Sequence, residues 1–89
     1  MKEKRSFTIK NRLGLHARAA ALLVQTASNF RSDIIVTKDG EEVSGKSIMG
    51  ILMLAAPQGS RIEIAACGED AGEALAAIGK LIDDGFGED

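Results

Sequence analysis

Apolar residues recur along the chain with two different spacings, which predict alternating strands and helices. Phe7 and Ile9 alternate with polar neighbours, and a period of two indicates a strand with one buried face. The next segment has apolar residues at positions i, i+3, i+4 and i+7, the spacing of one side of a helix. This helix is expected to begin near His16 and to bury Ala20, Leu23, Val24 and Ala27.

The middle of the chain predicts a β-hairpin. The segment 34–37 is rich in β-branched residues and leads to Asp39 and Gly40. An Asp-Gly pair favours a two-residue hairpin turn because glycine readily adopts positive φ. We therefore expect a returning strand over residues 41–44.

A short helix is expected after the hairpin. Residues 48–54 are apolar on all sides, Ser47 precedes them, and Pro57 ends the segment. Serine is a favoured N-cap because its hydroxyl accepts a first-turn backbone N–H, which contributes about 1 kcal/mol. We assign Met53 and Leu54 to the core.

The last third of the chain predicts a strand and a helix. Residues 61–67 alternate again, with Ile62, Ile64 and Ala66 on one face. Asp70 followed by Glu73 is similar to a capping box at a helix start. The expected buried stripe of this helix is Ala71, Ala74, Leu75, Ile78, Leu81 and Ile82.

The order βαββαβα is best satisfied by an α+β fold. One mostly antiparallel sheet of four short strands would carry the helices on a single face, forming an open-faced β-sandwich. The chain has 89 residues, 45% of them apolar and 27% charged. These values fit a single domain over residues 1–89.

Charge and hydropathy exclude several classes of function. The net charge of −2 with interspersed signs gives no basic surface for nucleic acid. The longest apolar run, 51–56, is far below the ~18 residues of a membrane span, and no apolar leader follows the basic N-terminus. We expect a cytoplasmic protein that uses neither nucleic acid nor membrane.

The lone cysteine and lone histidine argue against a disulfide or a zinc site. Cys67 has no cysteine to pair with, and His16 is the only histidine. We interpret Cys67 as a half-buried packing residue in a reducing compartment. No metal or cofactor is expected.

The stretch GEEVSGKS, residues 40–47, matches the phosphate-binding P-loop pattern G-x-x-x-x-G-K-[ST]. The context opposes this interpretation, because Gly40 is better used in the hairpin and residues 41–44 in a strand. Glu41 and Glu42 would also repel phosphate. A nucleotide-binding enzyme therefore remains a weak alternative, for which loss of Mg-dependent ATP affinity in Lys46→Ala would be needed.

A second candidate site lies in LGLHARAA, residues 13–20. His16 occupies or adjoins the N-cap of the first helix, where unpaired N–H groups and the helix dipole favour an anion. Arg18 adds a charged, planar donor group suited to phosphate. A positive environment disfavours the imidazolium and leaves a ring nitrogen free for attack. The same residues also fit an ordinary helix end with a surface arginine.

The chain resembles HPr, the histidine-containing phosphocarrier family of the bacterial sugar phosphotransferase system. The resemblance rests on NRLGLHARAAALLVQTAS, on KSIMGILML and on the element order, and it covers essentially the whole chain. It implies a four-stranded antiparallel sheet with three helices on one side, the middle helix being short. It also implies a carrier and not an enzyme.

The resemblance implies roles for the first helix. His16 would be phosphorylated on Nδ1 by enzyme I at the expense of phosphoenolpyruvate and would pass the phosphoryl to an enzyme IIA. Arg18 would stabilise the group, with the backbone amides of Ala17 and Arg18. The family usually has proline where this chain has Ala19. Alanine restores an N–H and loosens the first turn.

The resemblance also implies partner surfaces and regulation. Ser47 resembles the serine that an ATP-dependent HPr kinase/phosphorylase modifies, creating a surface for a transcriptional regulator. The helix period turns Ala21 and Leu22 away from the core stripe, so we expect both to be exposed. The expected partner-contact residues are Ala21, Leu22, Ile48, Met49 and Leu52, each of which could instead complete the core.

Two functions from different classes remain after the P-loop is set aside. The first is a monomeric phosphocarrier that uses His16. The alternative is a regulatory protein of the same fold, in nitrogen-related or carbon catabolite control, that acts mainly by protein–protein binding through Ser47 and the apolar residues of the second helix.

Overall fold

The computed structural model describes residues 1–88. Its strands are β1 (Lys2–Thr8), β2 (Asp33–Lys38), β3 (Glu41–Ser44) and β4 (Arg61–Cys67). Its helices are α1 (Ala17–Ser28), α2 (Ile48–Met53) and α3 (Ala71–Asp83), followed by a 3-10 turn, Gly85–Gly87. The predicted order βαββαβα is confirmed.

The four strands form one antiparallel sheet in the order β1-β4-β2-β3. β4 is therefore central, with Ile62 opposite Phe7 of β1 and Ile64 opposite Val36 of β2. The alternation of side chains along each strand turns Ile62, Ile64 and Val36 to the same buried face. The antiparallel sheet implied by the resemblance is confirmed.

The helices cover one face of this sheet. α3 packs on β1 and β4, α2 packs beside β3, and α1 contacts both other helices. The opposite face is open and carries charged residues such as Lys2, Lys4 and Glu63 along a shallow groove. The largest fully buried apolar side chains, between sheet and helices, are Ile9, Leu23, Ile34, Val36, Ile51, Ile62, Ile64, Leu75, Ile78 and Ile82.

The hairpin prediction is confirmed. Asp39 and Gly40 have φ values of 51° and 85°, which place both turn residues in the left-handed region. The strand Glu41–Ser44 pairs with β2 in the register Lys38 opposite Glu41. The segment between the two glycines of the P-loop pattern is thus a paired strand, so it does not form a loop around phosphate.

Met53 is not a core residue, contrary to the prediction. Its side chain is 71% exposed, whereas Leu54 is 5% exposed as expected. α2 has six residues, and Ile51 is the buried one among them. Met53 lies two residues after Ile51, about 200° around the helix, and therefore faces solvent. Val24 and Leu81, predicted to be buried, are half-buried at the edge of the core.

The interpretation of Cys67 as a half-buried packing residue is also wrong. Cys67 is exposed. It ends β4 directly after the buried Ala66, and the alternation of the strand turns it to the open face.

Asp70 occupies the N-cap of α3 but does not form the predicted capping box. Its carboxylate instead accepts the backbone N–H of Arg31 at 2.9 Å and that of Ser32 at 3.0 Å, together with the Ser32 hydroxyl. The Ser32 hydroxyl, followed by the Arg31 N–H, lowers the pKa of Asp70. These bonds join the α1–β2 loop to the start of α3.

No helix in the described part of the chain is long and apolar enough to cross a membrane.

Candidate functional site

His16 is the N-cap residue of α1, as the sequence predicts. Its backbone is extended, with φ −73° and ψ 178°, and its carbonyl accepts the first helical bond from the Ala20 N–H at 2.8 Å. Its side chain makes no capping bond. The amides of Ala17 and Arg18 precede that first helical bond and therefore have no partner inside the helix.

The loop before His16 is held in place at its base. Gly14 has a φ of 68°, and a Cβ there would lie 2.4 Å from the Ala56 carbonyl oxygen, so this position requires glycine. The next residue, Leu15, is 4% exposed and donates its N–H to the same carbonyl at 2.9 Å. The loop thus fixes the backbone that presents His16.

His16 faces an open cleft of about 250 Å³. The cleft is lined by Arg12, Leu13, His16, Arg18 and Glu88. Two arginines beside a helix N-terminus favour an anion there, because full charges add to the partial charge of the free amides. The open shape leaves the imidazole, whose side chain is 28% exposed, accessible to another protein.

A carboxylate that the sequence analysis missed lies against the histidine. Glu88 Oε2 contacts His16 Nε2, although the two residues are 72 positions apart. The amide of Asn11, a residue 2% exposed, donates to Glu88 Oε1 at 3.1 Å and to the Gly14 carbonyl at 2.7 Å. The Asn11 bond, followed by the His16 bond, lowers the pKa of Glu88, which keeps this carboxylate ionised.

Little in the sequence announces this contact. Phe86 between two glycines could have suggested a turn that anchors the chain before Glu88, and the structure shows Phe86 buried in that turn. No local motif, however, joins Glu88 to His16.

Ala19 is fully buried in the first turn of α1. It belongs to the N-terminal residues whose amides precede the Ala20 to His16 bond. The residue at position 19 therefore contributes to the packing of the core as well as to the backbone of the first turn.

Ser47 is the N-cap of α2, and its predicted cap is confirmed. The Ser47 hydroxyl accepts the Gly50 N–H at 3.0 Å. The preceding Lys46 donates its ammonium to the Phe30 carbonyl near the end of α1 at 2.9 Å. The second helix thus begins beside the C-terminal end of the first.

The exposed side of α2 carries three apolar side chains, which we call the α2 patch. Ile48 is 44% exposed, Met49 68% and Met53 71%. Leu52 is half-buried and packs against the core. The α2 patch includes two of the three α2 residues expected to contact partners, and it adds Met53.

The prediction that Ala21 and Leu22 are exposed is wrong. Both are half-buried, and Leu22 packs against the core. The prediction considered α1 alone, whereas α1 also packs against α2 and α3 and therefore needs a wider apolar side than its first stripe.

Within residues 1–88, no group of three or more His, Cys, Asp or Glu side chains is placed to hold a metal ion.

Comparison with known proteins gives a consistent result. Residues 3–84 match the protein-family model described as PTS HPr component phosphorylation site. The chain is 52% identical over 85 residues to the phosphocarrier protein HPr of Neisseria meningitidis serogroup A, covering 96% of each chain.

Solved structures agree. The HPr-C-His structure from Thermoanaerobacter tengcongensis has a TM-score of 0.95 and 49% identity, covering 98% of each chain. An HPr dimer from the same organism has a TM-score of 0.79 and 52% identity, covering 99% of this chain and all of that one. These structures also have the open-faced architecture described above.

Proposed function

The chain belongs to the HPr family of phosphocarriers of the phosphotransferase system, and from this premise we propose that His16 accepts a phosphoryl group from phosphorylated enzyme I and passes it to an enzyme IIA. Members of this family are carriers and not enzymes. The proposal therefore concerns which residues hold the group and which proteins exchange it.

The observation that carries the proposal is the uncapped N-terminus of α1. His16 is the N-cap residue, yet its side chain makes no hydrogen bond to the first-turn amides. A phosphoryl group on the imidazole can then accept the N–H groups of Ala17 and Arg18 and the guanidinium of Arg18. Nucleophile and anion donors belong to one turn of backbone.

The open cleft suits a carrier better than a closed pocket would. A carrier must hold its phosphoryl group tightly enough to accept it and loosely enough to release it. Ala17 and Arg18 are both exposed, so water screens their interaction with the group. The partly exposed His16 side chain, in an open cleft, also permits approach by a donor and later by an acceptor.

The test is phosphoryl uptake from enzyme I and phosphoenolpyruvate. We expect the wild type to take up one acid-labile, alkali-stable phosphoryl group and His16→Ala to take up none. Arg61→Ala, an exposed arginine at the start of β4, serves as the matched surface control. Equal uptake by wild type and His16→Ala would contradict the proposal.

We further propose that Ser47 is a site of regulatory phosphorylation by an HPr kinase/phosphorylase. Support comes from its position at a helix N-terminus, where about two negative charges are tolerated by the dipole. Incubation with an HPr kinase and ATP should modify the wild type and leave Ser47→Ala unmodified. Modification of both to the same extent would place the site elsewhere.

The second candidate function is regulation by protein binding, and the α2 patch favours it. Methionine side chains adapt to different partner surfaces, and exposed apolar patches mark interaction sites. Under this hypothesis, a phosphoserine form binds a transcriptional regulator even when His16 is replaced by alanine. Loss of that binding in Met49→Gln, with phosphoryl uptake retained, would support the second function as an additional one.

We propose that the protein is a cytoplasmic monomer. The α2 patch has three exposed apolar side chains, which suits a transient partner. A dimer structure is known for the similar HPr of Thermoanaerobacter tengcongensis. Light scattering across a hundredfold range of concentration should give one constant mass of a single chain, and a mass that doubles would contradict this.

A further inference from the structure

We propose that Glu88 is a positioning residue for His16, holding the proton on Nε2 so that Nδ1 is the nitrogen that carries the phosphoryl group. This inference rests on the proposed carrier function and adds a residue from the far end of the chain to it. The geometry around Glu88 supports it in three steps.

The first step is the placement of the carboxylate. Phe86 is 2% exposed and has a φ of 57°, between Gly85 at 63° and Gly87 at 73°. Three successive residues in the left-handed region are unfavourable for a bulky side chain unless packing holds them. The Glu88 N–H then donates to the Gly85 carbonyl at 3.0 Å, so the turn fixes where Glu88 begins.

The second step is the orientation of the carboxylate. The buried Asn11 amide holds Glu88 Oε1 at 3.1 Å, which leaves Oε2 for His16. The same Asn11 amide holds the Gly14 carbonyl at 2.7 Å, in the loop that presents the histidine. One side chain therefore sets the carboxylate and the loop relative to each other, and Glu88 is 16% exposed at its side chain.

The third step is the chemistry of the ring. An ionised carboxylate only accepts hydrogen bonds, so Nε2 of a neutral imidazole must donate to it. The neutral ring has one proton, and Nδ1 is then left with the lone pair. A histidine held this way by a carboxylate has a fixed tautomer and a fixed ring plane.

The carboxylate also matches the charge that transfer creates. The Nδ1 lone pair forms the new bond to phosphorus, while the bond from phosphorus to its donor atom on enzyme I breaks and its electron pair stays with the donor. The proton remains on Nε2, so the ring becomes cationic beside Glu88. On delivery, the N–P bond breaks, its electron pair returns to Nδ1, and the neutral ring is restored.

This arrangement explains how one site can both accept and release the group. Stabilisation of the cationic ring by Glu88 favours acceptance. The retained Nε2 proton allows a neutral imidazole to leave, which favours release. In the proposed function Arg18 stabilises the negative phosphoryl oxygens, whereas Glu88 stabilises the cationic ring.

The test combines ring-nitrogen NMR with transfer kinetics on Glu88→Ala, Glu88→Gln and the control Glu69→Ala, an exposed carboxylate between β4 and α3. In ¹⁵N spectra of the neutral ring, we expect wild type and Glu69→Ala to show the Nε2–H form. Glu88→Ala should show a mixture of both tautomers. Its rate of phosphoryl uptake from enzyme I should fall roughly tenfold, the effect of losing a hydrogen bond to a charged group.

Glu88→Gln separates the effect of the hydrogen-bond acceptor from that of the charge, because the amide oxygen can still accept a hydrogen bond from Nε2–H. We expect it to keep the Nε2–H form and to show an uptake rate between those of wild type and Glu88→Ala. An unchanged tautomer in Glu88→Ala, or an uptake rate within twofold of wild type, would overturn the proposal. If the wild type takes up no phosphoryl at all, the carrier function fails, while the NMR result still decides whether Glu88 positions the ring.

Discussion

The N-termini of α1 and α2 have the same backbone arrangement and opposite use of the cap side chain. Both N-cap residues are extended, with ψ 178° at His16 and ψ 111° at Ser47. Ser47 closes its helix by accepting the Gly50 N–H. The His16 side chain instead contacts Glu88 and makes no capping bond to the first amides of α1.

This difference separates a structural helix end from one that can bind a ligand. A capped N-terminus has already satisfied an orphan donor, so an incoming anion must displace the cap. An uncapped N-terminus offers its donors directly. We call the uncapped N-terminus of α1 the open end and the capped N-terminus of α2 the closed end. The proposed phosphoryl site lies at the open end, whereas the proposed regulatory residue, Ser47, lies at the closed end.

Among variants that keep His16, the largest effect is expected from removing the charge of Arg18 at the N-terminus of α1. Arg18→Ala should lower the rate of phosphoryl uptake from enzyme I on the order of 100-fold, because a donor to the transferring group is lost. Single-turnover uptake measures this, and Arg61→Ala should match wild type. A rate for Arg18→Ala within threefold of wild type would show that the open end does not use this side chain.

Placing a negative charge at the closed end should have a smaller effect on transfer. Ser47→Asp should slow uptake from enzyme I roughly tenfold, because the new charge at the start of α2 opposes docking of a partner on the α2 patch. Aspartate is itself a good N-cap, so the stability of the fold should be retained. Ser47→Ala, with neither charge nor cap, should transfer at the wild-type rate.

For the stability of the fold, the order of the two helix ends should be reversed: the change at Ser47 should have a larger effect than the change at His16. Ser47→Ala should lower the free energy of unfolding by about 1 kcal/mol because it removes a cap. His16→Ala made in the Glu88→Ala background, where the bond between these two side chains is already absent, should change it by less than about 0.5 kcal/mol, since His16 caps nothing. Urea unfolding followed by circular dichroism gives both values. Equal destabilisation by the two variants would remove the distinction between the helix ends.

The N-terminus of α3 is a third helix end, and its contribution to stability should depend on pH. Asp70, the N-cap of α3, uses its carboxylate on Ser32 and Arg31, and these bonds lower its folded pKa. The unfolded chain therefore takes up this proton first as the pH falls, so the stabilisation is present at neutral pH and is lost in acid. Asp70→Asn should be less stable than wild type at pH 7.

The difference in free energy of unfolding between Asp70→Asn and wild type should become smaller as the pH falls from about 5 toward 2. This is the smallest of the expected effects. Urea titrations at several pH values measure it, with Glu69→Gln as the exposed control. If this difference in free energy of unfolding stays constant with pH, the loss of stability in Asp70→Asn comes from the changed shape of the side chain and not from its charge.

Local patterns in the sequence were sufficient to predict the strands and helices and to predict the N-cap residues of α1 and α2. The period of two in β4 found its buried face, and the Asp-Gly pair found the hairpin turn. His16 and Ser47 were both recognised as N-caps because a cap depends on neighbouring residues. These features depend on contacts within a few positions along the chain.

Features that depend on tertiary contacts were missed or predicted wrongly. Glu88 reaches His16 from 72 positions away, and Asp70 prefers the backbone of a distant loop to its own helix. Met53 was placed in the core because the length of α2 and its single buried residue could not be read from an apolar run. Leu22 is half-buried because α2 and α3 both pack on α1, and the period of a single helix does not show these contacts.

The measurement that tests the account most directly locates the phosphoryl group after reaction with enzyme I and phosphoenolpyruvate. ³¹P and ¹⁵N NMR of the labelled wild type should show one phosphoryl group, on Nδ1 of His16, and no signal from phosphoserine. A group on Nε2, on Ser47 or on any other residue would contradict the account, because the open end of α1 would then not be the site of transfer.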